Sequence, residues 1–146
     1  MVRVARSVHV KAPPHLVWSV LVDVERWPRW ATYLHHLVLL DQRTLRLGSR
    51  VKVKPRGMPG AVWTVTEFAE GRSYTWIAVS WGLRLAADHV LDREDGGTRV
   101  TLTLKAYGPL ATVLAPFLRV IFQRNTRLAT AGLQRFTETR RSTPLS

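Results

Sequence analysis

The sequence contains no cysteine in its 146 residues. This absence excludes disulfide bonds, thiolate nucleophiles and every zinc or iron–sulfur site that uses cysteine ligands. A chain without cysteine suits a reducing compartment, and we expect a cytoplasmic location. Residues 1–11 alternate between apolar and polar positions, so the sequence begins with a strand pattern and shows no apolar core of a signal peptide.

Long hydrophobic runs are also absent. The longest nearly uncharged apolar run extends from Leu110 to Leu118 and contains Pro116. It is too short to cross a bilayer, so the sequence predicts no transmembrane segment. The chain is nevertheless 46% hydrophobic. That content is enough for one domain, residues 1–146, to bury a core without a disulfide or a structural metal.

Acidic residues are scarce, with 10 Asp and Glu against 22 Lys and Arg, which gives a net charge of +12. This charge favours an anionic partner such as RNA, phospholipid or an acidic protein. The alternative is a solvated surface, because the arginines are spread over the whole chain. Arg124, Arg127 and Arg135 fall close together on the predicted last helix. Through them we expect weak binding to RNA or anionic liposomes that fades near physiological salt.

Motifs for common catalytic and cofactor sites are missing. There is no GxGxxG, no Walker loop, no HExxH and no GxSxG. The neighbouring His35 and His36 lie in a predicted strand, where adjacent side chains point to opposite faces. The sequence therefore predicts no metal site and no cofactor.

The hydrophobic pattern predicts one strand, two short helices, six strands and a long last helix. Pro14 suits the first turn of the first short helix, and Pro28 is expected near the start of the second. After Gly108-Pro109 the apolar spacing becomes helical up to about Arg140, with Pro116 expected to kink this helix or mark its beginning. The predicted strands cover residues 2–11, 36–41, 50–54, 61–68, 74–81, 83–91 and 100–105.

Strands joined by short turns form an antiparallel meander, which has one polar and one apolar face. The last helix is the only predicted element long enough to cover the apolar face. The sequence therefore predicts an α+β fold, a curved antiparallel sheet of about seven strands (β-α-α-β6-α) wrapped around the C-terminal helix. The space between the two is a natural ligand site.

Several short segments together form a recognisable pattern. They are Val8–Pro13, Val17-Trp18, Asp23, Trp27-Pro28, Trp30, Gly97–Thr101 and Gly108-Pro109. This pattern resembles the START-like superfamily, which includes polyketide cyclases and dehydrases, Bet v 1-like proteins and lipid-transfer domains. The resemblance implies the helix-grip fold and a hydrophobic cavity, and it implies no catalytic residue.

Two side chains are the candidates for chemistry. The alternation of the predicted strand 83–91 places His89 on its apolar face and the neighbouring Asp88 on the other. His89 either meets a ligand, as a hydrogen-bonding group or proton shuttle, or is satisfied by the backbone. Tyr33 follows the short helices and carries a phenol suited to the polar end of a ligand. The full set of predicted ligand-binding residues is Tyr33, Trp63, Val65, Trp76, Leu85, His89, Leu102, Phe117, Ile121 and Asn125.

Three classes of function stay open. The first is a carrier or sensor that binds an apolar small molecule or lipid. The second is a cofactor-free enzyme of the polyketide cyclase or dehydrase type, which holds a reactive chain in a productive conformation. The third is a basic interaction protein that docks on RNA or an anionic surface. Nothing in the sequence indicates the oligomeric state.

Overall fold

The structure is a computed structural model that describes residues 1–40 and 44–142. It confirms the predicted order of one strand, two short helices, six strands and a helical C-terminal part. The strands are β1 (Val2–Val10), β2 (Leu34–Leu39), β3 (Arg50–Pro55), β4 (Ala61–Ala69), β5 (Ser73–Ser80), β6 (Leu83–Glu94) and β7 (Gly97–Tyr107). The helices are α1 (Pro14–Val22), a 3₁₀ helix (Val24–Arg29), α2 (Pro109–Val113) and α3 (Ala115–Ser142).

All seven strands form one antiparallel sheet in the order β1-β7-β6-β5-β4-β3-β2. Strands β2 to β7 follow one another as a meander, and β1 adds to the far edge of β7. Register shifts in β2 and β4 mark irregular pairing, of the kind that bends a strand and increases its twist. The sheet curls into a half-barrel around α3, which is the helix-grip fold.

Three local predictions were wrong. Strand β2 begins at Leu34, two residues before the predicted start, and residue 41 of the predicted strand lies outside the described residues. Trp81 lies in the turn after β5. Pro28 is the fifth residue of the 3₁₀ helix. The helix ends after Arg29, where the backbone N–H groups of Trp30 and Ala31 both donate to the Trp27 carbonyl.

Pro116 is the second residue of α3, so it marks the beginning of the main helix, where its missing N–H leaves no bond unmade. The predicted apolar stripe is only partly buried. Leu118 and Phe122 are buried, whereas Val113 and Phe117 are 75% and 61% exposed. Val113 ends the short helix α2 and Phe117 lies in the first turn of α3, and the sheet covers neither of them. No helix in the described part of the chain is long and apolar enough to cross a membrane.

Helix α3 approaches the short helices closely at Gly132. A Cβ atom at this position would overlap the carbonyl oxygen of Trp30. Earlier on the buried side of α3, the hydroxyls of Thr126 and Thr130 donate to carbonyls one turn before them, at 2.8 Å in each case. The helix can therefore place small polar residues against the sheet without leaving these two hydroxyl groups unpaired.

We predict that Gly132→Ala lowers the free energy of unfolding by about 1–3 kcal/mol, because the new methyl group overlaps the Trp30 carbonyl. The sign is diagnostic, since the same change in an uncrowded helix stabilises by about 1 kcal/mol. Urea unfolding of both proteins measures the difference. Ala131→Ser, at the exposed neighbouring position, is the control and should change stability little. A stabilised Gly132→Ala variant would show that α3 does not pack this closely.

Candidate functional site

A cavity of about 340 Å³ lies between the curled sheet and α3. Its walls are mainly apolar and aromatic side chains from the sheet, the 3₁₀ helix and the first half of α3. The lining residues Met58, Pro59, Ala61 and Phe117 are also exposed, so they mark the opening. The cavity falls within the volume range of small-molecule sites, roughly 300–1,000 Å³.

Trp76, on β5, is at the centre of an aromatic wall. Its ring centroid lies 5.2 Å from that of Trp27 and 6.0 Å from that of Trp63. His89 contacts it from the next strand, at 5.4 Å with the rings almost perpendicular. These tilted and edge-on contacts are the arrangements that aromatic quadrupoles favour, so the wall is a rigid surface.

His89 points into the cavity from β6, as the alternation of the strand predicts, and is 5% exposed. Its Nδ1 lies 3.2 Å from the carbonyl oxygen of Tyr74. A carbonyl oxygen only accepts, so Nδ1 carries the proton and Nε2 of the neutral ring keeps a free lone pair. No second hydrogen-bond partner of this ring occurs among the described residues. The imidazole therefore offers the cavity a hydrogen-bond acceptor.

The Tyr74 ring packs against one face of the His89 imidazole, and a hydrogen bond fixes Tyr74 in place. The two rings stack at 4.3 Å with an angle of 19° between their planes. The Tyr74 hydroxyl donates to the carbonyl oxygen of Leu21 at 2.9 Å, and the Trp27 indole donates to the same oxygen at 3.1 Å. The last turn of α1 and the start of the aromatic wall are thereby connected to the sheet.

Burial sets the protonation of the cavity's titratable groups. It lowers the pKa of His89 to about 4, although the hydrogen bond to Tyr74 and the charge of Asp88 act in the opposite direction. It raises the pKa of Tyr33 well above its ordinary value. Both groups are consequently neutral at neutral pH, which suits the binding of an uncharged molecule.

Asp88 does not assist His89, as the strand alternation predicts. Its carboxylate accepts from the Thr75 hydroxyl at 2.7 Å and pairs with the Lys105 ammonium at 2.9 Å. These polar contacts outweigh partial burial and lower the pKa of Asp88. The carboxylate is engaged with Thr75 and Lys105 and has no hydrogen bond to His89, so the site has no His–Asp dyad.

Nine of the ten predicted ligand-binding residues line the cavity. Val65 is the exception, since its side chain lies in the main core outside the cavity and its backbone pairs with Gly48 and Ser49. The nine lining residues are Tyr33, Trp63, Trp76, Leu85, His89, Leu102, Phe117, Ile121 and Asn125.

Sequence reasoning missed Trp27 and Trp30 as parts of the wall. Both were expected to fill the core beneath the short helices, and both are buried, but both also line the cavity. Trp27 lies 5.5 Å from the His89 ring. The turn residues Met58 and Pro59 were missed too, because turn chemistry alone does not show that a turn bends over a cavity.

The expectation that His35 and His36 point to opposite faces was wrong. Both are exposed, and their rings approach to 5.0 Å with the two Nδ1 atoms 2.9 Å apart. The reason is the register shift between Leu34 and His36, which breaks the strict alternation of β2. Within residues 1–40 and 44–140, no three His, Cys, Asp or Glu side chains are grouped so as to hold a metal ion.

The basic residues of α3 lie where the helical spacing predicts. Arg124, Arg127 and Arg135 are exposed, on the side away from the buried Leu118, Phe122 and Leu133. We refer to these three residues as the arginine row.

The model of the family described as polyketide cyclase / dehydrase and lipid transport matches residues 1–139. The chain belongs to this family. The match confirms the resemblance noted in the sequence and extends over both the sheet and α3. No curated protein matches the sequence.

Solved structures from bacteria share the fold at low sequence identity. An aromatase/cyclase, ZhuI from Streptomyces sp. R1128, is 18% identical with a TM-score of 0.76, over 97% of this chain and 96% of that chain. A START superfamily protein from Mycobacterium smegmatis is 16% identical with a TM-score of 0.74, over 94% and 97%. TTHA0849 from Thermus thermophilus is 20% identical with a TM-score of 0.74, over 97% and 99%. At these identities the likeness establishes the fold alone.

The depressed pKa of His89 predicts a loss of stability in acid. Between an unfolded pKa of about 6.5 and the folded value of about 4, the unfolded chain binds a proton that the folded chain rejects. The free energy of unfolding should therefore fall by about 2–3 kcal/mol from pH 7.5 to pH 4.5 through this residue.

Urea unfolding of the protein and of His89→Gln at both pH values isolates this contribution from that of the carboxylates. The variant should lose less stability on acidification than the unchanged protein does. His15→Gln, on the exposed side of α1, is the control and should keep the full pH dependence. Equal pH dependence in all three proteins would show that His89 is not buried as a neutral ring.

Proposed function

We propose that this protein binds an apolar small molecule or lipid in the cavity between the sheet and α3, and acts as a carrier or sensor in the cytoplasm. The observation that supports the proposal most directly is the cavity itself. It is enclosed mainly by aromatic and aliphatic side chains, and the acceptor Nε2 of His89 is among its few polar groups. Such a combination suits a ligand that is mostly apolar and has one fixed polar group.

The chemistry of His89 favours a donor on that ligand. Because Nδ1–H is engaged with the Tyr74 carbonyl, Nε2 can only accept. A neutral hydroxyl or N–H group would satisfy it. A carboxylate would place a negative charge beside an uncharged acceptor, and the nearest ammonium among the lining residues, that of Lys105, is already paired with Asp88. We therefore expect alcohols and phenols to bind better than fatty-acid anions.

A cofactor-free cyclase or dehydrase activity is the second candidate, and a neutral imidazole facing an apolar cavity supports it. Its pKa weighs against a strong general base, however. An imidazole with a pKa of about 4 has little affinity for a substrate proton at neutral pH. Tyr33, whose pKa burial raises, is likewise a poor proton donor. Binding therefore has more support than catalysis.

The donor preference is testable with 2-naphthol and 2-methoxynaphthalene, which differ in the ability to donate a hydrogen bond. By isothermal titration calorimetry the naphthol should bind about three- to tenfold more tightly, which is the net contribution of one hydrogen bond. His89→Phe should remove this preference while retaining the binding of the ether. A preference that persists in His89→Phe would show that another group receives the hydroxyl.

The aromatic wall is tested by Trp63→Ala, which should weaken binding of both compounds about tenfold by removing buried contact area. The matched control is Val62→Ala on the same strand, which is exposed and does not line the cavity. If neither compound nor a panel of apolar alcohols binds at micromolar concentration, the proposed binding function is wrong. Conversion of a polyketide-like chain that depends on His89 would favour the enzyme.

A further inference from the structure

Apolar side chains that are exposed to solvent occur on the segments at the end of the molecule where the cavity opens. Trp81 is 91% exposed, and Val120 of α3 is 66% exposed. Neither lines the cavity, so cavity binding gives no reason for their exposure. We call five residues the apolar rim: Met58, Trp81, Val113, Phe117 and Val120.

The fold brings the segments of the apolar rim to one end of the molecule. The first turn of α2 is attached to the β5–β6 turn, since Leu110 N–H donates to the Gly82 carbonyl at 2.9 Å. Trp81 is the residue before Gly82, and Val113 lies one helical turn after Pro109. Met58, in the β3–β4 turn, and Phe117 both line the cavity opening. In an antiparallel meander alternate turns lie at the same end, which places the β3–β4 and β5–β6 turns together.

The apolar rim continues into the arginine row along α3. Phe117, Val120, Arg124 and Arg127 are spaced by three or four residues and are all exposed, so they share one side of the helix. This side starts apolar near the cavity opening and becomes basic farther along. The strands at this end also carry basic side chains. Arg84 of β6 lies opposite Val79 of β5, and Lys54 Nζ of β3 donates to the Met58 carbonyl at 2.6 Å.

Acidic residues are absent from the segments that build this end. None occurs in residues 44–66, 71–87 or 96–137. Six of the ten occur on segments at the opposite end, at the β4–β5 turn, the β6–β7 turn and the end of α3. These acidic residues are Glu67, Glu70, Asp92, Glu94, Asp95 and Glu138. The basic residues at the cavity opening therefore have no acidic residues on the same segments, whereas those at the opposite end do.

We propose that the apolar rim and the two nearest members of the arginine row, Arg124 and Arg127, form a docking surface for an anionic lipid bilayer. Tryptophan and aliphatic side chains partition into the interfacial region of a bilayer, while arginines contact anionic headgroups. RNA or an acidic protein would account for the arginines but leave the exposed apolar residues unexplained. Docked in this way, the cavity opens toward the bilayer, so an apolar ligand could pass between them with little exposure to water.

The test is co-sedimentation with phosphatidylcholine vesicles that contain phosphatidylglycerol, compared with phosphatidylcholine alone. The salt concentration is about 0.15 M, where binding through the arginines alone should fade and the apolar rim is needed to retain it. Binding should require the anionic lipid. Arg124→Glu with Arg127→Glu should weaken it about tenfold or more, as expected when charges near a lipid surface are reversed. Arg72→Glu with Arg93→Glu, exposed residues at the opposite end, is the matched control and should bind nearly as well as the unchanged protein.

The apolar contribution is tested by Trp81→Ser with Val113→Ser and Val120→Ser, three residues that do not line the cavity. This variant should lose about tenfold in vesicle binding while its affinity for 2-naphthol stays unchanged. Brominated lipids should quench tryptophan fluorescence of the unchanged protein more than that of Trp81→Phe.

Two outcomes would overturn the proposal. One is vesicle binding that the serine variant retains in full, particularly if RNA binds as tightly, because the surface would then be an unspecific site for polyanions. The other is no binding to anionic vesicles at all. If the protein does not bind anionic vesicles but still binds 2-naphthol, the docking proposal is wrong and the proposed cavity function is unaffected. If it binds vesicles but not 2-naphthol, the result argues against the cavity function.

Discussion

The carbonyl oxygen of Leu21 is the point on which the geometry of the site depends. It accepts from the Tyr74 hydroxyl and from the Trp27 indole, and so joins α1, the 3₁₀ helix and the sheet. All three groups are buried, where a polar group without a partner costs about 1–3 kcal/mol. The bonds must form together, and they fix the side chains that lead to His89.

The bond to Leu21 fixes Tyr74, and Tyr74 in turn fixes the tautomer of His89. The Tyr74 ring lies flat against the imidazole, and its carbonyl takes the Nδ1 proton. Rotating the imidazole would break that bond and separate the stacked rings. The cavity acceptor is thus oriented by backbone and packing alone, with no carboxylate involved. An uncharged, oriented acceptor distinguishes a hydroxyl from an ether without attracting anions.

Much of this architecture is predictable because alternation is a local property. The parity of β6 placed His89 inward and Asp88 away from it, and both placements hold. Prediction failed where the local rule is interrupted. The register shift in β2 brought His35 and His36 together, and the tight packing of Val65 beneath Gly48 and Ser49 removed it from the cavity wall. Neither event has a signal in the residues concerned, since both depend on how one strand meets the next.

The burial of the apolar residues of α2 and α3 could be predicted only in part. Helical spacing correctly grouped the apolar positions of α2 and α3, but hydrophobicity alone does not show which of them the sheet can reach. Leu118 and Phe122 are covered, whereas Val113, Phe117 and Val120 are not. Scattered exposed apolar residues are ordinary, but this group adjoins a cavity opening and a row of arginines in segments free of acidic residues. The two sides of α3 therefore have different roles. Its inner side closes the cavity, and its outer side faces a bilayer in the docking that we propose.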